Sequence, residues 1–161
     1  MRLMHRDIKT HNLLVNSKWE TKVADFGIST VRPTVTRTMT CTGTPIYMAP
    51  EVLEKNKSSE KADVYSFGIV MMELFTSKVP YTESPYDSMS SALLTYRILE
   101  GARPNIDGIH PQLQELISQC WDTDPANRPT FPTIVERLRE FQNSRLEILV
   151  QTPTDIQTAL P

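Results

Sequence analysis

The stretch KADVYSFGIVMMELFTS, residues 61–77, decides the architecture. It is apolar nearly all round over a helical length, the pattern expected of a helix buried on every side. Its most apolar run, Phe67 to Phe75, is interrupted by Glu73 and is far too short to span a bilayer. Helical spacing continues downstream. Met89, Ala92, Leu93, Tyr96 and Leu99 recur at three- and four-residue intervals, and Gly101 is placed to end that helix. Leu113, Leu116, Ile117, Cys120 and Trp121 repeat the spacing, with Pro111 suited to a first turn. Ile134, Leu138 and Phe141 do so again, behind Thr130 as a cap and Pro132 in the opening turn. From about Asn143 the pattern is lost, which predicts a loose tail. Upstream, Leu13–Val15 and Lys22–Ala24 flank the polar NSKWET and predict a β-hairpin. Residues 25–50 lack periodicity and predict a long loop, a length that is usually functional. The expected fold is mainly α, with a short β-hairpin at its N-terminal edge and residues 61–77 as the spine.

Bulk properties exclude several functions. A chain of 161 residues with 39% hydrophobic and 22% charged residues has enough apolar side chains for a core, unlike a disordered segment. A net charge of −2 gives no electrostatic reason to expect nucleic acid or an anionic membrane as partner. Two cysteines, Cys41 and Cys120, are too few for a disulfide scaffold, and no CxxC spacing suggests zinc. No signal peptide or membrane segment is visible. Reduced thiols point to an intracellular, cytoplasmic setting.

The chemistry-bearing residues sit near the beginning. His5-Arg6-Asp7 is followed by Lys9 and, five residues after Asp7, by Asn12. Asp25-Phe26-Gly27 follows the hairpin, and Ala49-Pro50-Glu51 closes the long loop. Taken singly these residues are bland: Asp7, Asn12 and Asp25 read as turn formers, Lys9 as a solvated lysine. His5 and His11 suggest a metal pair only until a third ligand is sought, and none converges.

In order and spacing, however, HRD…N, DFG and APE resemble the protein-kinase signature set over residues 1–142, with 143–161 as a C-terminal tail. The resemblance implies the C-terminal lobe of a kinase: catalytic loop, activation segment and helical subdomain. It implies transfer of the γ-phosphate of ATP, with Mg²⁺, to a protein substrate. Asp7 would orient or accept the proton of the attacking hydroxyl, Lys9 would place a positive charge beside the transferring group, and Thr44 would complete the catalytic set. Asn12 and Asp25 would be the metal ligands, hard oxygens of the kind Mg²⁺ prefers. Lys9, Asn12, Leu14 and Asp25 would meet the nucleotide, Leu14 as the apolar floor under adenine. His5, Arg6, Phe26, Gly27, Glu51, Asp63 and Arg128 would be supports, Asp63 holding the HRD backbone and Arg128 pairing with Glu51.

The segment DFGISTVRPTVTRTMTCTGTPIYMAPE is rich in hydroxyls. Thr36, Thr38, Thr40 and Thr42 are candidate sites for an upstream kinase, with the added phosphate pairing with Arg6. HRDIK and GTPIYMAPE match serine/threonine kinases, while CWDTDPANRPTFPTIVERL is worded like the tyrosine-kinase-like group. Neither a GxGxxG nor a VAIK-like run occurs, and the five glycines are unclustered. The expectation is therefore a fragment of a longer kinase that turns over very slowly without its N-terminal lobe, leaving an apolar surface around Leu14 prone to self-association. The alternative is an inactive lobe serving as a scaffold or interaction module.

Overall fold

The computed structural model describes residues 4–25, 45–55 and 57–151, with side chains described to residue 144. Two compact units are present, Met1–Pro129 and Thr130–Pro161. In the first, strands β1 (Leu13–Val15) and β2 (Thr21–Val23) form an antiparallel hairpin, followed by helices α1 (Pro50–Lys55), α2 (Glu60–Thr76), α3 (Ser91–Leu99) and α4 (Pro111–Cys120). The second contains α5 (Phe131–Gln151). Mainly helical architecture with a two-stranded hairpin is what the sequence predicts.

The hairpin register pairs Leu13 with Val23, Leu14 with Lys22 and Val15 with Thr21. The second strand thus begins one residue earlier than the apolar run suggests. Its turn is organised by Asn16, whose Oδ1 accepts from the backbone N–H of Lys18 (2.9 Å) and Glu20 (3.0 Å). Such a side chain mimics a backbone turn and lets Trp19 take a left-handed conformation, φ 63°.

Helix α2 is the spine, but it is not buried all round. Val64, Tyr65, Ile69, Val70, Met71 and Met72 are buried, whereas Leu74 and Phe75 in the last turn are exposed. The apolar run outlasts the neighbours that cover it. Helix α4 packs directly on α2, and Gly68 permits the approach: a Cβ there would lie 2.9 Å from the Cβ of Cys120. Leu113, Leu116, Ile117 and Cys120 form the buried face of α4 as their spacing predicts. Pro111 opens that helix, and the His110 ring accepts from the Gln112 N–H.

Helix α3 turns a different face inward from the one expected. Leu94 and Ile98 are buried with Tyr81, and Ile46, Leu53, Tyr86 and Met89 pack against them. Leu93, Tyr96 and Leu99 face solvent. The segment SALLTYRIL carries two apolar stripes, and contact with Tyr81 selects between them. Ser90 caps this helix by accepting from the Leu93 N–H (3.3 Å), and Gly101 follows it at φ 94°.

The predicted loop 25–50 ends in structure. A 3-10 turn spans Pro45–Tyr47, and α1 starts at Pro50, whose fixed φ suits a first helical turn. Helix α5 runs to Gln151, so the loose tail expected from Asn143 is helical through that residue. Residues 142–151, QNSRLEILVQ, contain no glycine or proline to stop a helix.

Candidate active site

The segment from His5 to Asn12 is held from below by α2. Asp63, in the first turn of that helix and buried, accepts from the backbone N–H of His5 through Oδ2 and of Arg6 through Oδ1, both at 2.8 Å. These two bonds keep Arg6 at φ 70°, a conformation that persists only where its surroundings impose it. The His5 ring then joins the two halves of the site. Its Nδ1 accepts from the Asp7 N–H (3.3 Å), which leaves Nε2 to donate to the Ala24 carbonyl (3.0 Å). Ala24 in turn donates its N–H to the Asn12 carbonyl (2.8 Å), and Asp25 follows it in the chain at φ 62°.

Three side chains converge where the sequence places the chemistry. Lys9 Nζ lies 2.8 Å from Asp7 Oδ2. Asn12 Nδ2 donates to the same oxygen (3.0 Å) and to the Asp7 carbonyl (2.7 Å). The 3-10 turn Thr10–Asn12 makes this possible by folding Asn12 back under Asp7, its N–H bonded to the Lys9 carbonyl (3.0 Å). Asp7 is therefore fixed through Oδ2, and no described residue donates to its Oδ1. Asp7 and Lys9 remain partly accessible, with side chains 28% and 34% exposed.

Farther from Asp7, Arg128 and Glu51 meet. Arg128, fully buried, makes a two-pronged contact with Glu51 at 2.7 and 2.9 Å. It also donates to the carbonyls of Asp122 (2.8 Å) and Lys61 (2.8 Å). Two guanidinium groups lie over the Tyr65 ring, Arg103 at 5.0 Å and Arg128 at 5.1 Å from its centre. Burial pushes its phenol up in pKa despite those charges. Leu14 stands 59% exposed on β1, beside exposed Val15 and Val23. Phe26, Gly27, Thr36, Thr38, Thr40, Thr42 and Thr44 lie outside the described residues, as does Cys41.

The sequence reading missed a second set of contacts. Tyr47 OH donates to Glu73 Oε2 (2.6 Å) and lies 3.2 Å from Thr10 Oγ1, while Ser66 Oγ donates to the Tyr47 carbonyl (2.7 Å). Glu73 is the one carboxylate within the apolar run of α2, and that isolation was the available signal.

The donor set fits a hard cation. Asn12 uses its Nδ2 on Asp7, and no described hydrogen bond occupies its Oδ1. Asp25, which follows Ala24, is exposed, and the two side chains carry oxygens of the type Mg²⁺ takes. Among the described residues no group of three His, Cys, Asp or Glu side chains is arranged to hold a metal, and no helix is long and apolar enough to cross a membrane.

Comparison with known proteins matches the model of the protein kinase domain to residues 1–138. The probable serine/threonine-protein kinase drkD of Dictyostelium discoideum is 41% identical over 155 residues, covering 92% of this chain and 12% of the relative. The dual specificity protein kinase shkD of the same organism is 43% identical over 143 residues, covering 87% of this chain and 19% of its own length. The serine/threonine-protein kinase CTR1 of Arabidopsis thaliana is 40% identical over 144 residues, covering 88% and 17% respectively. The chain thus spans less than a fifth of the length of each of these three relatives.

Proposed function

Because the chain belongs to the protein kinase domain family, we propose that it carries the catalytic loop of an ATP-dependent kinase acting on serine or threonine hydroxyls of proteins. The observation that carries the reading is the convergence of Lys9 and Asn12 on one oxygen of Asp7. Two donors hold Oδ2, and Oδ1 is left to orient the substrate hydroxyl and receive its proton as the oxygen attacks phosphorus. Lys9 keeps two further N–H donors for the transferring phosphoryl group. Asn12 Oδ1 and Asp25 are the oxygens that would hold Mg²⁺. Bound Mg²⁺·ATP supplies the phosphoryl group and the neutralisation of its charge. Leu14, exposed on β1, gives an apolar surface for the adenine.

The supports follow the same logic. Asp63 positions the loop through His5 and Arg6, and the Glu51–Arg128 pair anchors the end of the segment that contains Thr44. Arg6 has a buried Nε without a partner among the described residues. That donor suits a phosphate added by an upstream kinase at Thr36, Thr38, Thr40 or Thr42, and the charge-assisted contact would order the segment. The serine/threonine assignment rests on Lys9 and Thr44 together with the similarity to the serine/threonine-protein kinases drkD and CTR1.

The test is phosphate transfer from radiolabelled ATP to dephosphorylated casein by the full-length protein. Asp7→Asn lowers the rate by at least about 100-fold, the range for loss of a positioned base. Asp25→Ala abolishes Mg²⁺-dependent ATP binding measured by calorimetry. Transfer at the parental rate by Asp7→Asn would exclude the assignment.

A further inference from the structure

The segment from His5 to Asn12 holds two histidines, and the site gives a task to only one. The His5 ring is used internally, bonded to the Asp7 N–H and the Ala24 carbonyl, so it is not available to share a metal with His11. His11 lies between Thr10 and Asn12 in the 3-10 turn, is exposed, and takes no hydrogen bond or ion pair among the described residues. Three residues per turn send successive side chains about 120° apart. Thr10 meets Tyr47 and Asn12 folds back on Asp7, which leaves His11 on the open side of the loop.

Position and charge together define what this ring can meet. The Asn12 amide touches Asp7, and His11 is the preceding residue, which puts its Cα within about 10 Å of the Asp7 carboxylate. An extended peptide advances about 3.3 Å per residue, so the same distance separates a phosphorylated residue from side chains two or three positions away. A basic side chain finds no free carboxylate on this stretch. Asp7 Oδ2 is held by Lys9 and Asn12, and Glu73 of α2, behind Thr10, accepts from Tyr47. Asp25, after β2, is committed to Mg²⁺ in the reading above. What remains on offer is an imidazole N–H two residues from Lys9, and its charge-assisted partner is a carboxylate.

Resting on the kinase reading above, we propose that His11 is a specificity-determining residue: its ring takes an aspartate or glutamate side chain of the protein substrate, two or three positions from the residue phosphorylated. Histidine is also the side chain type whose charge changes between about pH 5 and 8. The contact with a carboxylate gains a full positive charge as the ring protonates, so selection of acidic sequences strengthens from pH 8 to pH 6. The peptide carboxylates stay ionised throughout that range.

The test uses the full-length protein and a series of serine peptides in an alanine background. Glutamate, glutamine or lysine is placed singly at each of the three positions on either side of the serine. The parent favours glutamate over glutamine by about 3–10-fold in kcat/KM at a position two or three residues from the serine, the equivalent of one hydrogen bond to a charged group. That ratio is larger at pH 6 than at pH 8. His11→Gln removes the preference and its pH dependence, and His11→Glu turns it toward lysine. A purely structural role would lower the rates on all peptides together and leave the ratio in place; that result overturns the proposal, as does a parent without preference. Binding separates this proposal from the kinase reading. Fluorescein-labelled peptides with alanine in place of the serine cannot be phosphorylated, and anisotropy titrations give their Kd values directly. If the parent transfers phosphate to no peptide and not to casein, the kinase reading falls. The glutamate-to-glutamine ratio of Kd, about 3–10-fold in the parent and abolished in His11→Gln, still decides the role of His11. Should His11→Glu fail to fold, the neutral His11→Gln carries both measurements.

Discussion

Replacing Glu51 by glutamine isolates a buried positive charge. In the parent, both Glu51 oxygens face the Arg128 guanidinium, whose side chain is 0% exposed against 17% for Glu51. Breaking such a pair from one side costs about 3–5 kcal/mol, because the remaining ion is left uncompensated in a medium that solvates it poorly. Arg128 retains the carbonyls of Asp122 and Lys61 and the face of Tyr65, and glutamine returns one acceptor. Those contacts place the loss at the lower end, about 3 kcal/mol. For a chain of this size each kcal/mol shifts the midpoint by about 2–4 °C, so Glu51→Gln melts about 6–12 °C below the parent. Circular dichroism at 222 nm with a parallel urea titration measures it. The loss persists in 1 M NaCl, since mobile ions do not reach a buried site. Arg128→Met forfeits the carbonyl contacts as well and falls at least as far, while the double variant loses less than the sum of the singles. A midpoint for Glu51→Gln within about 2 °C of the parent would contradict the account of the pair as an anchor.

Asp63→Ala strips the acceptor from two backbone N–H groups and lowers stability by about 2–3 kcal/mol in urea, because nothing then holds Arg6 in its left-handed conformation. Gly68→Ala drives its Cβ into the Cβ of Cys120 and costs about 1–3 kcal/mol; Cys120→Gly in the same chain restores part of the loss, whereas Cys120→Ser, which keeps the Cβ, does not. Stability also falls as pH rises above 10. Tyr47 has a folded pKa raised above its unfolded value, so the unfolded chain releases the proton first; the contribution is full below pH 10 and lost by about pH 12. Tyr47→Phe, followed by urea unfolding at stepped pH, has a shallower alkaline decline, and an unchanged slope would rule out Tyr47 as a source.

What was legible in the chain follows from how local the determinant is. Helix α4 announces itself because Leu113, Leu116, Ile117 and Cys120 offer one stripe and Pro111 one starting point. Helix α3 offers two stripes in nine residues, and the choice between Leu94–Ile98 and Leu93–Tyr96 is made by Tyr81, which lies outside the window any periodicity scans. Helix α1, six residues long, is too short to display a period. Within the site, Asp7, Lys9 and Asn12 are near neighbours in sequence, and their motif could be read directly. The Tyr47–Glu73 contact spans 26 positions and depends on two elements meeting, which no spacing rule encodes.

The two bonds that Asp63 accepts also impose an order on how the molecule is made. His5 and Arg6 take a partner that lies 58 and 57 positions later in the chain. Arg6 has no local reason to enter the left-handed region, which costs about 1–3 kcal/mol until α2 presents its carboxylate. Closing a loop of that length is entropically unfavourable and is repaid only by contacts formed afterwards. The segment from His5 to Asn12 is thus among the last to acquire its shape, and a partly folded chain with α2 unformed has the motif without the geometry. The arrangement of Asp7, Lys9 and Asn12 reports on completion of the helical core.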